Sequence, residues 1–440
     1  MKDARQTAYE ILLKIQVENS YSNLALDAAL IDSELEVRDI ALVSALVYGT
    51  LERLITIDYN LSLYLKKPVN KTESEILTVL RLGVCQLLFM DRIPESAAVN
   101  ESVKLVKQTR RAYASGLVNA VLHKVAKEGL RFPNSDVESI EYLSVKYSCP
   151  EWLVLLWIKD YGLIDAVGIM KASLLVPKTI IRVNTTKTSA EKLKSVLEEE
   201  GVFSEFSKIL KNALILEKAG SIEKLSAFKD GLFHVQDIAS QLCCEALCAQ
   251  PQDTIFDLCS APGGKTFTLA EIMDGKGQVK AFDIYESRLD LIREGVNRLN
   301  LLNVYVSIGN AEIHGENLGF AEKVLCDVPC SGLGIIGRKP EIRYKSKEDI
   351  DKLPLLQYFI LCNASKYVKV GGLLIYSTCT LNLKENEDVC ELFLKNNTNY
   401  ESRRVLPELI NRPINGDYLT LLPHINNSDG FFIALFCRTE

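Results

Sequence analysis

Two cysteines stand where a thiol could do chemistry. Cys330 lies in the segment 326–334, Cys-Asp-Val-Pro-Cys-Ser-Gly-Leu-Gly, and Cys379 in the segment 376–380, Tyr-Ser-Thr-Cys-Thr. Each follows an apolar run that reads as a strand. A thiolate is the strongest nucleophile among ordinary side chains, and two thiols in one crevice could divide attack from release. The ordinary reading of a cysteine is a small buried hydrophobe, and most of the other ten are read that way. Cys326 and Cys330 lack zinc-site spacing and the chain has four histidines, so no metal is expected.

A third segment could hold a ligand. Cys259, Ser260, Ala261, Pro262, Gly263, Gly264 and Lys265 join an apolar strand to a helix. The paired glycines let backbone approach a ligand at a helix N-terminus. A P-loop would need glycine at 259, and the G-x-G-x-x-G fingerprint is missing. Asp283 ends the next strand, 20 residues after Gly263, where an acid can accept hydrogen bonds from both ribose hydroxyls. A nucleoside-bearing cofactor fits, and S-adenosylmethionine fits better than a nicotinamide dinucleotide.

The elements that must position these residues alternate from Asp237 onward. Strands are predicted at 254–258, 278–282, 304–307, 323–326, 373–377 and 431–436, and helices at 265–273, 287–299 and 385–394. Such alternation implies a mostly parallel, doubly wound sheet whose strand carboxyl ends line the ligand crevice. Residues 1–131 read instead as helix after helix, with Ala8, Ile11 and Leu12 marking one apolar stripe. Residues 132–175 continue as a helical connector. A small α/β subdomain follows at 176–235, its strands at 179–183, 214–216 and 232–235. Thr188 and Glu191 are read as a capping box opening its helix.

Composition bounds the rest. The chain has 440 residues, 48% hydrophobic and 25% charged, which excludes disordered and fibrous classes. No apolar run approaches the ~20 residues of a membrane span, and the polar N-terminus does not read as a signal peptide, so a cytoplasmic protein without a membrane partner is expected. Its 12 cysteines are then reduced thiols rather than a disulfide framework. The net charge of -6 conceals local basic patches. Residues 101–131 hold seven basic residues against two acids, including Arg110 and Arg111, and 337–347 hold five against one, including Arg338, Lys339 and Arg343. Both are candidate RNA contacts, with Tyr344 available to stack.

The blocks at 257–265 and 327–334 and the Ser-Thr-Cys at 377–379 resemble, in order, the signatures of RNA 5-methylcytosine methyltransferases of the NOL1/NOP2/Sun family. The helical N-terminus resembles a NusB-like RNA-binding domain. The pairing is similar to bacterial small-subunit ribosomal RNA cytosine-C5 methyltransferases, over almost the whole chain. The resemblance implies a multidomain fold, an all-α NusB-like domain plus an α/β Rossmann-like (class I) methyltransferase domain at 236–440. It implies S-adenosylmethionine as methyl donor, 16S ribosomal RNA as partner, Cys379 as nucleophile and Cys330 as the product-releasing thiol. The cofactor positions become 259–265, Asp283, Asn310 and Asp327. Asn310 departs from the family's usual Asp, keeping an acceptor and adding a donor. DNA cytosine methyltransferases attack from the Pro-Cys block, so the Thr-Cys block points to RNA. A monomer is expected. Rival readings are the same chemistry on transfer RNA or another RNA, a non-catalytic RNA-binding factor, and a nicotinamide-dependent oxidoreductase.

Overall fold

The computed structural model describes residues 3–18, 22–30, 35–217, 220–315, 318–405 and 416–440. They form two compact units, Met1–Leu175 with Ile336–Lys345, and Val176–Ile335 with Ser346–Glu440. No single helix among the described residues is long and apolar enough to cross a membrane.

The first unit is helical. Its helices include Ala4–Glu18, Val37–Glu52, Ser74–Phe89, Glu95–Gln108 and Ser115–Glu128, followed by Ile140–Tyr147 and Glu151–Ala172. The apolar stripes of the first five meet in one core holding Ala8, Ile11, Leu12, Leu46, Val47, Leu80, Val84 and Leu122. Burial of these faces, at roughly 25 cal/mol per Å², is what makes short helices persist.

The segment Ile336–Lys345 belongs to this unit, and its Arg343 corrects the expectation of an arginine free for RNA. Arg343 is only 1% exposed. Its guanidinium donates to the carbonyls of Glu52 at 3.0 Å, Ser148 at 2.9 Å and Ser173 at 3.4 Å. Those carbonyls end the helices Val37–Glu52, Ile140–Tyr147 and Glu151–Ala172, where acceptors lack intrahelical partners and the dipole is negative. One cation thus caps three helices. Tyr344 does not stack outward either; its hydroxyl donates to the Leu51 carbonyl at 2.8 Å. Sequence charge alone could not separate a solvated arginine from a capping one.

The second unit has two sheets. The smaller contains β1 (Thr179–Val183), β2 (Phe203–Phe206), β3 (Ala213–Glu217) and β4 (Phe233–Val235), in the antiparallel order β2-β3-β1-β4. β2 went unread because its Phe-Ser-Glu-Phe is an edge with mostly exposed side chains. The helix Ala190–Glu199 is capped by Ser189, whose hydroxyl accepts from the Lys192 amide at 3.3 Å. This corrects the reading of Thr188 as cap by one residue. Ile181, Val183, Leu193 and Leu197 form the core on one face. On the other, Ile180 and Ala213 join the large core with Ile238 and Leu242. The face that a sheet-type RNA reader keeps open for stacking is therefore covered here.

The larger sheet holds β5 (Thr254–Asp257), β6 (Gln278–Asp283), β7 (Val304–Ile308), β8 (Ala321–Asp327), β9 (Val368–Thr378), β10 (Tyr400–Arg403), β11 (Leu419–Leu421) and β12 (Phe431–Arg438). The order is β10-β12-β9-β8-β5-β6-β7, with β11 paired to β12. β9 through β7 pair in parallel, and β10, β11 and β12 form antiparallel pairs at one side. The strand reading was right for the parallel part and missed the two short strands beside β12.

Replacing Arg343 with Ala leaves at least three helix-end carbonyls without their donor. The expected loss is about 3 kcal/mol in the unfolding of the helical unit, read by far-UV circular dichroism in urea, with Arg343→Lys recovering part of it.

Candidate active site

The chain leaves β5 through β6 and β7, then returns to add β8 and β9 on the other side of β5. That reversal opens a crevice at the carboxyl ends of β5 and β8. Asp257, Asp283 and Asp327 end β5, β6 and β8, and Thr378 ends β9 directly before Cys379. Sheet topology therefore gathers the three sequence blocks.

The loop at 259–265 is pinned to β6: the backbone amide and hydroxyl of Ser260 both donate to the Phe282 carbonyl, at 2.9 and 2.8 Å. Gly263 has φ +108° and precedes the helix Gly264–Ile272. A Cβ there would lie 2.4 Å from the Phe267 ring, so glycine is required both by dihedral and by space. Lys265 turns to Asp327, donating to Oδ2 at 2.7 Å, and lies 3.4 Å from the Ser240 hydroxyl. Burial alone would lower the Lys265 pKa, but the Asp327 carboxylate outweighs it and holds the ammonium above its usual range. The other oxygen of Asp327 accepts from Ser377 at 2.8 Å.

Asp283 is buried, its carboxylate receiving the Tyr285 amide at 3.2 Å and Arg288 at 3.4 Å. The Gly309 amide donates to the Asp283 carbonyl, which brings Asn310 to the rim. Asn310 Oδ1 accepts from the Glu312 amide at 2.9 Å, so this acceptor already serves the turn. Asp257 lies beneath, 1% exposed, accepting from Thr266 at 2.6 Å. Burial pushes its pKa up to about 7.

The two predicted thiols meet. Cys330 and Cys379 are free and half-buried, with sulfurs 3.3 Å apart. The hydrogen bond to Cys379, then burial, raises the Cys330 pKa well above the usual thiol range. Either sulfur can donate in this contact, so the pair can share one proton. Cys259 is also held protonated, by burial and by the Asp257, Asp327 and Asp283 carboxylates. Gly334 closes the arrangement. Its amide donates to the Cys379 carbonyl at 3.0 Å, and a Cβ would lie 2.0 Å from the Gly430 carbonyl oxygen. Sequence reasoning missed Asp257, Ser377, Glu385 and Asn386 as participants. The Glu-Asn pair six residues after Cys379 was the available signal for the last two.

On the helical unit, Lys104, Lys107, Arg110, Lys124 and Lys127 are exposed. Arg111 is instead paired with Glu73 at 2.9 Å and Glu75 at 2.5 Å. Arg338 and Lys339 are half-buried.

A reversing parallel sheet, a glycine loop after its first strand and an acid after its second define a Rossmann-like methyltransferase domain. Family models agree: 16S rRNA methyltransferase RsmB/F matches residues 244–437, the NusB family 2–127, and the RsmF/B-like ferredoxin-like domain 149–223. A "Probable ribosomal RNA small subunit methyltransferase B" of Bacillus subtilis (strain 168) is 34% identical over 98% of this chain and 97% of that one. Its namesake from Synechocystis sp. is 34% identical over 99% of each. The crystal structure of PH0851 is 26% identical, with TM-score 0.84 over 100% of this chain and 99% of that one. The chain belongs to the family of ribosomal RNA small subunit methyltransferase B.

Asp257 gives the site a pH signature. Folded, it keeps its proton to about pH 7, against 3.8 for an ordinary aspartate. Between those values the folded state binds the extra proton, so the contribution is full below the lower value and is lost as pH rises through the upper one. Asp257→Asn should flatten the fall of Tm measured from pH 4.5 to 7.5. An unchanged slope would reject Asp257 as its source.

Proposed function

We propose that this protein transfers a methyl group from S-adenosylmethionine to C5 of a cytosine in 16S ribosomal RNA, through a transient bond between Cys379 and C6. The observation that carries the reading is the meeting of Cys330 and Cys379, sulfurs 3.3 Å apart, at the crevice that also holds Asp327. The small-subunit ribosomal RNA substrate is taken from the names of full-length relatives.

The residues fit a nucleoside-bearing methyl donor. Gly263 exposes backbone at a helix N-terminus, and the Asp283 carboxylate stands at the adjacent strand end to accept from ribose hydroxyls. Cys259, Ser260, Ala261, Pro262, Gly264, Lys265, Asn310 and Asp327 complete the proposed binding residues. When bound, S-adenosylmethionine supplies an electrophilic sulfonium methyl.

The protein must make C5 nucleophilic. Addition of the Cys379 thiolate at C6 does so, leaving an enamine-like ring. Asp327, fixed by Lys265 and Ser377, can hydrogen-bond the base near N3 or N4 and stabilise charge as it builds. After methylation the C5 proton passes to water, the electron pair of the broken C5–H bond re-forms the C5–C6 double bond, and Cys379 leaves as a thiolate to which the neighbouring Cys330 thiol can donate its proton. The base must be unstacked to enter, at a cost of a few kcal/mol. Arg110, Arg111, Arg338 and Lys339 are the proposed RNA contacts, with Arg110 freest to act.

Cys379→Ala should abolish both methyl transfer to RNA and covalent RNA capture, whereas Cys330→Ala should accumulate a protein–RNA adduct on a denaturing gel. Full activity in Cys379→Ala would overturn the nucleophile assignment. Methylation of RNA lacking cytosine would overturn the base. Arg110→Glu should weaken RNA binding and reduce its salt slope by roughly one; unchanged binding would reject that contact.

A further inference from the structure

Glu385 is fully buried, at 0% exposed. Four donors converge on it. Oε2 accepts from the Ser331 amide at 2.8 Å and from Gln357 Nε2 at 3.0 Å. Oε1 accepts from the Ser331 hydroxyl at 2.5 Å and from Asn382 Nδ2 at 2.9 Å. Gln357 also donates to the Pro329 carbonyl at 2.9 Å, so the residues on both sides of Cys330 are tied to this one group. The Ser331 hydroxyl further meets that of Thr380 at 2.6 Å.

Asn386, the next residue and also fully buried, does the same for Cys379. The Thr378 hydroxyl donates to its Oδ1 at 2.6 Å, and its Nδ2 donates to the Thr380 carbonyl at 3.0 Å. Neighbouring side chains therefore hold the flanks of the two thiols, which are 49 residues apart in sequence.

We propose that Glu385 and Asn386 are positioning residues with separate tasks, Glu385 fixing Cys330 against Cys379 for product release and Asn386 fixing Cys379 for attack. A carboxylate only accepts, and all four groups aimed at Glu385 are donors. Glutamine in its place turns an N–H₂ group towards one or two of them, leaving a buried donor facing a donor. The 330 loop then loses its register while Cys379, held by β9 and Asn386, keeps its own. The division of labour rests on the proposed cysteine mechanism; the sulfur spacing does not.

Two readouts on the full-length protein keep the parts distinguishable. The first needs no methyl transfer. Diamide takes one hydrogen from each of two adjacent thiols, becoming the hydrazine as the disulfide forms. Wild-type protein should yield the Cys330–Cys379 disulfide, mapped by peptide mass, at least tenfold faster than Glu385→Gln. The second readout is catalytic. Glu385→Gln should lower kcat about tenfold, leave KM for RNA within twofold, and accumulate the protein–RNA adduct as Cys330→Ala does. Asn386→Ala should lose activity without accumulating adduct. If Glu385→Gln fails to fold by circular dichroism, Ser331→Ala, which removes one donor, should give the same direction at smaller size. A folded variant with unchanged disulfide rate overturns the positioning role. An altered disulfide rate with no adduct in any variant supports it and overturns the cysteine mechanism alone.

Discussion

The site depends on a problem of like charge at the reversal of the sheet. Asp257 and Asp327 end adjacent strands, β5 and β8, with Asp257 buried beneath the crevice and close enough for the Asp327 charge to raise its pKa. Two bare carboxylates there would repel at low effective dielectric. The structure separates their states. Asp257 is buried deeply enough to stay protonated to about pH 7, and Asp327 is paired with the Lys265 ammonium at 2.7 Å. The lysine comes from the helix that the glycine loop begins, so its charge also ties that loop to β8. The same contact fixes the acid beside the thiols. Loop, strand end and proposed reaction centre thus share one ion pair.

Much of the methyltransferase unit was legible because its determinants are local. Apolar runs of strand length, spaced by amphipathic helices, gave β5 through β9 to within a few residues except at the start of β9. The three blocks were legible because glycine, proline and cysteine are uncommon in such arrangements. What was not legible is carried by ordinary residues acting at a distance. Glu385 reads in sequence as a helix-start acid, yet it sits at 0% exposure and accepts from Ser331, 54 residues earlier. Ser377 and Thr380 read as strand-end polar residues, and only pairing of β8 with β9 turns Ser377 towards Asp327.

Charge density misled where it was read without geometry. The 101–131 patch keeps several exposed cations, but Arg111 is committed to two glutamates from before the helix Ser74–Phe89 and within it. The 337–347 patch has its central arginine inside the helical unit. A run of basic residues in sequence is as compatible with capping helix ends as with binding phosphate, because both are negative and both accept.

The cap at Arg343 has a consequence for the order of events during synthesis. The helices it closes are complete by residue 173, but the arginine itself is made some 170 residues later. At a translation rate of roughly 5–20 residues per second, the helical unit waits about ten to thirty seconds with those carbonyls facing water. Its final stability is therefore conferred from the far side of the first methyltransferase strands. A ribosome that stalls before residue 343 leaves a helical unit that has its apolar core but lacks its lock.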